Sequence, residues 1–294
     1  PVVCAGIGVH SGERARLVMK PAPVGSGIRF RRTDIADRDN LIIARGDHVT
    51  EVTLGTTLRN GEGVSVATVE HLLAACAGVG IDNLLIEIDG PEVPIMDGSA
   101  AVYCELFLSA GLREQSAMRR RIRILETVEV GEGNKWARLA PSADDYLTIR
   151  AKIEFESRAI GTQQMALRLL PGMFARDIAF ARTFGFARDV EKLKSMGLAR
   201  GGSLDNAVVL DGDMIVNPEG LRSSDEFIRH KILDAVGDLM LAGAPIAGTY
   251  EARQPGHALN NLLVRALLDA PHAWCWEEDE IADMPMKAAG AAHG

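Results

Sequence analysis

The sequence predicts an α+β fold in which helices pack on mainly antiparallel sheets, and it predicts that unit twice. Strand-like segments come in clusters instead of alternating singly with helices, which favours antiparallel sheets over a parallel βαβ arrangement. The order strands, helix, strand, helix runs through the chain two times. Between the two runs the polar stretch REQSAMRRR breaks the pattern and serves as a boundary, giving domains at residues 1–117 and 118–294. A length of 294 residues accommodates two cores of ordinary size.

In the first domain GIRFRRTD, NLIIA and VTLGTTL read as strands. A helix is expected over residues 68–77, where Val69, Leu72, Leu73 and Cys76 recur at helical spacing, with Gly78 and Gly80 closing it. NLLIEI follows as a strand, and the turn DGPEVPIMDGS leads into a helix over residues 100–110, stopped by Gly111. In the second domain RIRILETVEV, WARLAP and YLTIRAKIEF read as strands. A helix carries His230, PIAGTYEA returns as a strand, and a last helix covers residues 257–268. Residues 186–210 form an additional piece, expected as a helix then a strand, and the tail after Ala288 is expected to fray.

Hydrophobic residues make up 47% of the chain and charged residues 24%, the composition of a folded chain and not of a disordered one. A net charge of -8 speaks against nucleic acid as the main partner, because binding phosphates needs a basic field. The basic cluster RRRIR from Arg119 to Arg123 reads as a solvated linker. No apolar run approaches the roughly 20 residues of a membrane span, and no signal segment is recognisable. Cys4, Cys76, Cys104 and Cys275 lack paired spacing, as expected of reduced thiols in a cytoplasmic protein.

Three stretches offer chemistry. In HKILDAVGD, His230 and Asp234 lie about 40° apart around a helix and roughly 6 Å along it, the placement two ligands of one metal ion need. Asp238 continues the stripe about 12 Å from His230, too far to share the ion easily and well placed to hold a group beside it. Gly237 leaves room among them, while Ile228, Ile232, Leu233, Val236, Leu239 and Met240 cover the other side; taken alone, the polar face reads equally well as solvated. In TVEH, His71 projects almost opposite the apolar stripe, and Glu70 points about 100° away from it. That geometry suits a division of labour, the histidine for a metal and the glutamate for a water beside it. With His230 and Asp234 it makes two imidazoles and one carboxylate, a ligand set of catalytic zinc. In PGHALNN, His257 opens a helix, where the positive helix end disfavours an imidazolium unless a carboxylate such as Asp238 compensates.

In order and over nearly the whole chain, GIGVHSG, RRTD, LGTTL, TVEHLLAA with GIDN, PIMDGSA, ARTFGF, GLARGGSLDNAVV, DEFIRHKILDAVGDL and PGHALNN resemble the UDP-3-O-acyl-N-acetylglucosamine deacetylase family. These are the zinc amidases that commit Gram-negative bacteria to lipid A synthesis. The resemblance implies two similar β-α-α-β domains packed as a layered sandwich with the active site between them. It implies His71, His230 and Asp234 as ligands of Zn2+, Glu70 as general base, and His257 as the group that stabilises and then protonates. Asp238 matches the carboxylate partner of His257, and Thr183 the hydroxyl near the developing oxyanion. Lys231, Phe155, Phe186 and Lys135 match positions near the nucleotide and sugar, and residues 186–210 an insert that forms an apolar passage for the acyl chain.

The implied partner is an acylated UDP-amino sugar, acted on in the cytoplasm by a monomer with no obligatory protein partner. Two departures stand out. Pro255 replaces a serine, a change at a turn expected to leave His257 in place. Family members usually have about a dozen residues before GIGVHSG, forming an opening strand, so an unpaired sheet edge is expected. The alternatives are a zinc hydrolase for another N-acyl sugar or peptide, and a non-catalytic nucleotide-sugar binder with solvated polar helix faces.

Overall fold

A computed structural model describes residues 1–278; the end of the second expected domain, and with it the tail after Ala288, lies outside the described residues. The first part runs β1 (Val2–Ile7), β2 (Arg14–Pro21), β3 (Ile28–Arg32), β4 (Leu41–Ile43), β5 (Val49–Glu51), β6 (Thr57–Arg59), β7 (Ser65–Val66), α1 (Glu70–Val79), β8 (Leu84–Ile88) and α2 (Ala101–Ala110). The second runs β9 (Arg120–Ile124), β10 (Val128–Glu132), β11 (Lys135–Ala140), β12 (Leu147–Glu154), β13 (Thr162–Arg168), α3 (Met173–Asp177), β14 (Phe184–Phe186), α4 (Ala187–Ser195), β15 (Val208–Asp211), β16 (Met214–Ile215), α5 (Glu226–Leu239), β17 (Ile246–Arg253), α6 (His257–Leu268) and β18 (Trp274–Glu278).

The fold is α+β, as the clustering of strands implies. A five-stranded sheet has the order β1-β2-β8-β3-β4, and a seven-stranded sheet the order β10-β11-β17-β12-β13 with β9 and β18 added through β17. Most pairs are antiparallel; β3 with β8, β12 with β17, β9 with β17 and β14 with β15 are parallel. The strands obey a period of two: in β12, Leu147, Ile149, Ala151 and Ile153 point inward and Thr148, Arg150, Lys152 and Glu154 outward. Residues before GIGVHSG do open a strand, β1, which pairs along its length with β2; among the described residues β1 and β4 are the two edges of the five-stranded sheet.

The helices lie between the sheets and meet one another. α2 lies on β1, α6 on β10 and β11, α5 on β12 and β13, and α1 crosses α5. The crossing is close because of Gly237, where an added Cβ would lie 2.0 Å from the Glu70 carbonyl oxygen. This contact sets the start of α1 against the C-terminal half of α5, and so brings TVEH and HKILD to one place.

Four expectations are corrected. VTLGTTL is not one strand: Leu54 takes a left-handed φ of 62° and the segment is the turn between β5 and β6. The Glu51 carboxylate accepts the N–H groups of Val52 and Thr53 and stops β5 there. RIRILETVEV divides into β9 and β10, which are not neighbours: β9 pairs with β17 and β18, and β10 with β11. RRRIR is not a solvated linker, since β9 pairs with β17 and β18, and Arg121 and Arg123 both reach the Glu277 carboxylate. Gly78 does not close α1 either. It lies inside the helix where an added Cβ would strike the Phe174 ring at 2.1 Å, and the left-handed Gly80 forms the cap.

Candidate active site

Two helices supply the metal-type donors. His230 and Asp234, one turn apart on α5, face the same way, with Nε2 and Oδ1 3.2 Å apart. α1 brings His71, whose Nε2 lies 3.6 Å from the same Oδ1, beyond hydrogen-bond reach. The two imidazoles stand edge to face with centroids 5.1 Å apart, and the three donor atoms lie within 4.8 Å of one another. All three side chains are buried, so the solvated polar face weighed for α5 is excluded.

The protons of this group can be located. His230 Nδ1 lies 3.1 Å from the Ala181 carbonyl oxygen, which can only accept, so Nδ1 carries the hydrogen and Nε2 presents a lone pair. Burial pushes the His230 imidazole down to about 3, and it is neutral at working pH. Burial works against the Asp234 carboxylate, but the charges of Lys231 and His257 hold it well below the usual range. Its Oδ2 accepts from Lys231 Nζ at 2.8 Å, while Oδ1 is buried with no hydrogen-bond partner among the described residues. Two acceptors therefore face each other at 3.2 Å. A cation between them removes the repulsion, and two imidazole nitrogens with one carboxylate oxygen are a donor set of zinc. The residues present fit a divalent metal.

Beside them lies a second pair of titratable groups. Glu70, the first residue of α1, accepts the Thr56 N–H on Oε2 at 2.9 Å, and burial pushes its carboxyl up. His257 follows the extended Gly256 at the start of α6 and holds Asp238 Oδ2 through Nδ1 at 2.9 Å. Its Nε2 faces Glu70 Oε1 at 3.8 Å and Asp234 Oδ2 at 3.9 Å. Burial pushes this imidazole down, but Asp238, Glu70 and Asp234 outweigh it and hold it up at about 10. The compensating carboxylate required at a helix N-terminus is thus Asp238, on a neighbouring helix.

The structure brings Glu70, His71, His230, Asp234, Asp238 and His257 into one cluster. Thr183 lies two residues after Ala181, whose carbonyl oxygen orients His230, and its own N–H donates to Gly98. Phe184, the first residue of β14, is the ring beside the cluster, 6.1 Å from His230; Phe155 stands 5.8 Å from Phe184, and Phe186 6.3 Å from Phe155. Lys231 Nζ lies 5.4 Å from the Phe184 centroid. Lys135 is not part of this group. It is an exposed residue at the start of β11, and the pairing of Trp136 with Arg253 puts it at the sheet end from which the chain turns into His257.

Sequence reasoning missed Thr56, Phe184, Tyr250 and Asn260. Asn260 had a signal, standing one turn beyond His257 on the same helix. Thr56 had none, because it sits in a turn misread as a strand.

Comparisons with known proteins point to one family. The family described as UDP-3-O-acyl N-acetylglycosamine deacetylase matches residues 1–269. The UDP-3-O-acyl-N-acetylglucosamine deacetylase of Phenylobacterium zucineum is 50% identical over 274 residues, 93% of this chain and 93% of that protein. The protein of the same name from Myxococcus xanthus is 53% identical over 272 residues, 92% of this chain and 85% of its own. That from Shewanella frigidimarina is 47% identical over 286 residues, covering 97% and 93%.

Proposed function

The chain belongs to the UDP-3-O-acyl N-acetylglycosamine deacetylase family, an amide hydrolase family of lipid A biosynthesis, and from that membership we propose that it hydrolyses the acetamide of UDP-3-O-(3-hydroxyacyl)-N-acetylglucosamine with zinc as its metal. The observation that carries the reading is the buried His71, His230 and Asp234 set, with two acceptors turned on each other at 3.2 Å. Zinc held by these three supplies Lewis acidity, which polarises an amide carbonyl and makes water more acidic.

The chain's own residues do the rest. Glu70, made more basic by burial and oriented by Thr56, takes the proton of the attacking water. His257, kept charged by Asp238, Glu70 and Asp234, offers its Nε2 proton to the anionic oxygen and then to the departing amine. The Thr183 hydroxyl adds a donor for the same oxygen. The products are acetate and the free 2-amino sugar nucleotide. Phe155, Phe184, Phe186 and Lys231 provide aromatic faces and a positive charge for sugar and nucleotide, with Lys135 at the rim, and residues 186–210 receive the acyl chain. Residues 1–117 and 118–278 act as two domains on either side of the cluster. Among the described residues no helix is long and apolar enough to cross a membrane, and the thiols of Cys4, Cys76, Cys104 and Cys275 are unpaired, in keeping with the cytoplasm as place of action.

The test is acetate release from the acylated UDP-sugar, with and without chelator and added zinc. Release abolished by chelator and restored by zinc is expected. Binding of the UDP-sugar without any release would sink the reading in favour of a binder, and faster release from another N-acetylated substrate would reassign the substrate.

A further inference from the structure

We propose that Thr56 is a positioning residue that holds the base Glu70 in register with the acid pair Asp238 and His257, and that Asn260 is its counterpart on the far side of Asp238. The inference rests on the roles proposed above for Glu70 and His257. Thr56 is wholly buried, and its two donors reach the two halves of the catalytic cluster. Its N–H donates to Glu70 Oε2 at 2.9 Å, and its hydroxyl donates to Asp238 Oδ1 at 2.7 Å. A hydroxyl has a single proton. With that proton on Asp238, the Thr56 oxygen can only accept from His257 Nδ1, which lies 3.4 Å away.

The other oxygen of Asp238 is as fully engaged. Oδ2 accepts from His257 Nδ1 at 2.9 Å and from Asn260 Nδ2 at 2.9 Å, and Asn260 is oriented by the Tyr250 hydroxyl, which donates to its Oδ1 at 2.7 Å. Three donors from two elements, the turn that carries Thr56 and the helix α6, thus fix the plane of one carboxylate. The consequence falls on His257: its Nδ1 proton is tied to Asp238, so Nε2 is the nitrogen presented to Glu70 and Asp234. The turn that carries Thr56 is itself pressed against the base, since a Cβ on Gly55 would lie 3.1 Å from Glu70 Oε1. A threonine present only to fill space has no need of its hydroxyl, and valine has nearly the same shape. That difference makes the proposal testable.

The experiment compares the parent with T56V, T56S and T56A in metal-loaded full-length protein. T56V is expected to lower kcat about 10- to 100-fold, the usual effect of removing an outer partner of a working histidine. KM and zinc content are expected to stay near the parent, the melting temperature to fall by no more than one lost buried hydrogen bond accounts for, and T56S to recover most of kcat and of the melting temperature. T56A also lacks the hydroxyl, and it gives the same reading if T56V does not fold. In metal-free protein, proton NMR is expected to show the downfield Nδ1 proton of His257 in the parent and T56S, and its loss by exchange in T56V. T56V with parental kcat and an intact resonance overturns the proposal, as does T56S as slow as T56V, which would show that the hydroxyl does not restore the function. A parent without deacetylase activity overturns the functional reading instead, and the NMR comparison then still decides whether Thr56 holds Asp238 and His257.

Discussion

Asp234 Oδ1 and His230 Nε2 lie 3.2 Å apart, and neither has a proton to share. The imidazole hydrogen is committed to the Ala181 carbonyl, and the carboxylate is ionised. In a buried site this repulsion is expected to make folding sensitive to metal. Zinc should raise the melting temperature of the metal-free protein, with a gain of about 2.7 kcal/mol at a hundredfold excess over Kd. His230→Ala should lose both the bound zinc and the gain; full metal content in that variant contradicts the assignment.

Glu70→Gln separates chemistry from structure. The kcat is expected to fall about 10²- to 10⁴-fold with zinc content unchanged, because Glu70 acts as base and not as ligand. Burial raises its folded-state pKa, so the ionised carboxylate costs stability above the unfolded value. The variant should therefore melt at or above the parent at neutral pH. Calorimetry and metal analysis on one preparation check both parts.

The pH dependence follows from the two signs. Glu70 must be ionised and its pKa is raised, so activity falls as pH drops through that value. His257 must be protonated, and its pKa is raised from 6.5 to about 10, so activity falls again on the alkaline side. Its stabilising contribution is complete below about 6.5 and disappears as pH rises through about 10. Asp238→Asn removes the main raising partner, so the alkaline limb should move toward neutrality, with about tenfold loss of kcat at pH 8. An unmoved alkaline limb would assign it to another group.

Gly237→Ala tests the helix crossing. The new Cβ would lie 2.0 Å from the Glu70 carbonyl oxygen, part of a backbone that cannot swing aside. Denaturant unfolding should show a loss of about 1–3 kcal/mol, the usual range for overpacking. The kcat should fall as well, since α1 carries both Glu70 and His71.

Phe155→Ala should raise KM for the UDP-sugar about tenfold and leave kcat within a few fold, as loss of an aromatic face weakens ground state and transition state alike. A fall in kcat at constant KM would place Phe155 in the chemistry.

Much of the fold was legible because its signals are local. The period of two in β12, the apolar stripes of α1 and α5 and the glycine stops put most elements within a residue or two of where they lie. The readings that failed concern segments whose state depends on distant partners. RRRIR looks like a linker until Asp145 and Glu277 stand against it, 22 and 154 residues further along the chain from Arg123. VTLGTTL looks like a strand until Leu54 turns and Thr56 is drawn to Glu70.

By itself the sequence determined which residue types face together within one helix: His230 with Asp234 one turn on, and Asp238 a further turn beyond. Helix geometry alone settles that, since it depends only on spacing. Where those faces meet was decided by the tertiary structure. The crossing of α1 over Gly237 sets His71 against Asp234, and a hydrogen bond spanning 182 positions ties Thr56 to Asp238. Contacts of that reach arise from the packing of two sheets and four helices, and no local spacing records them.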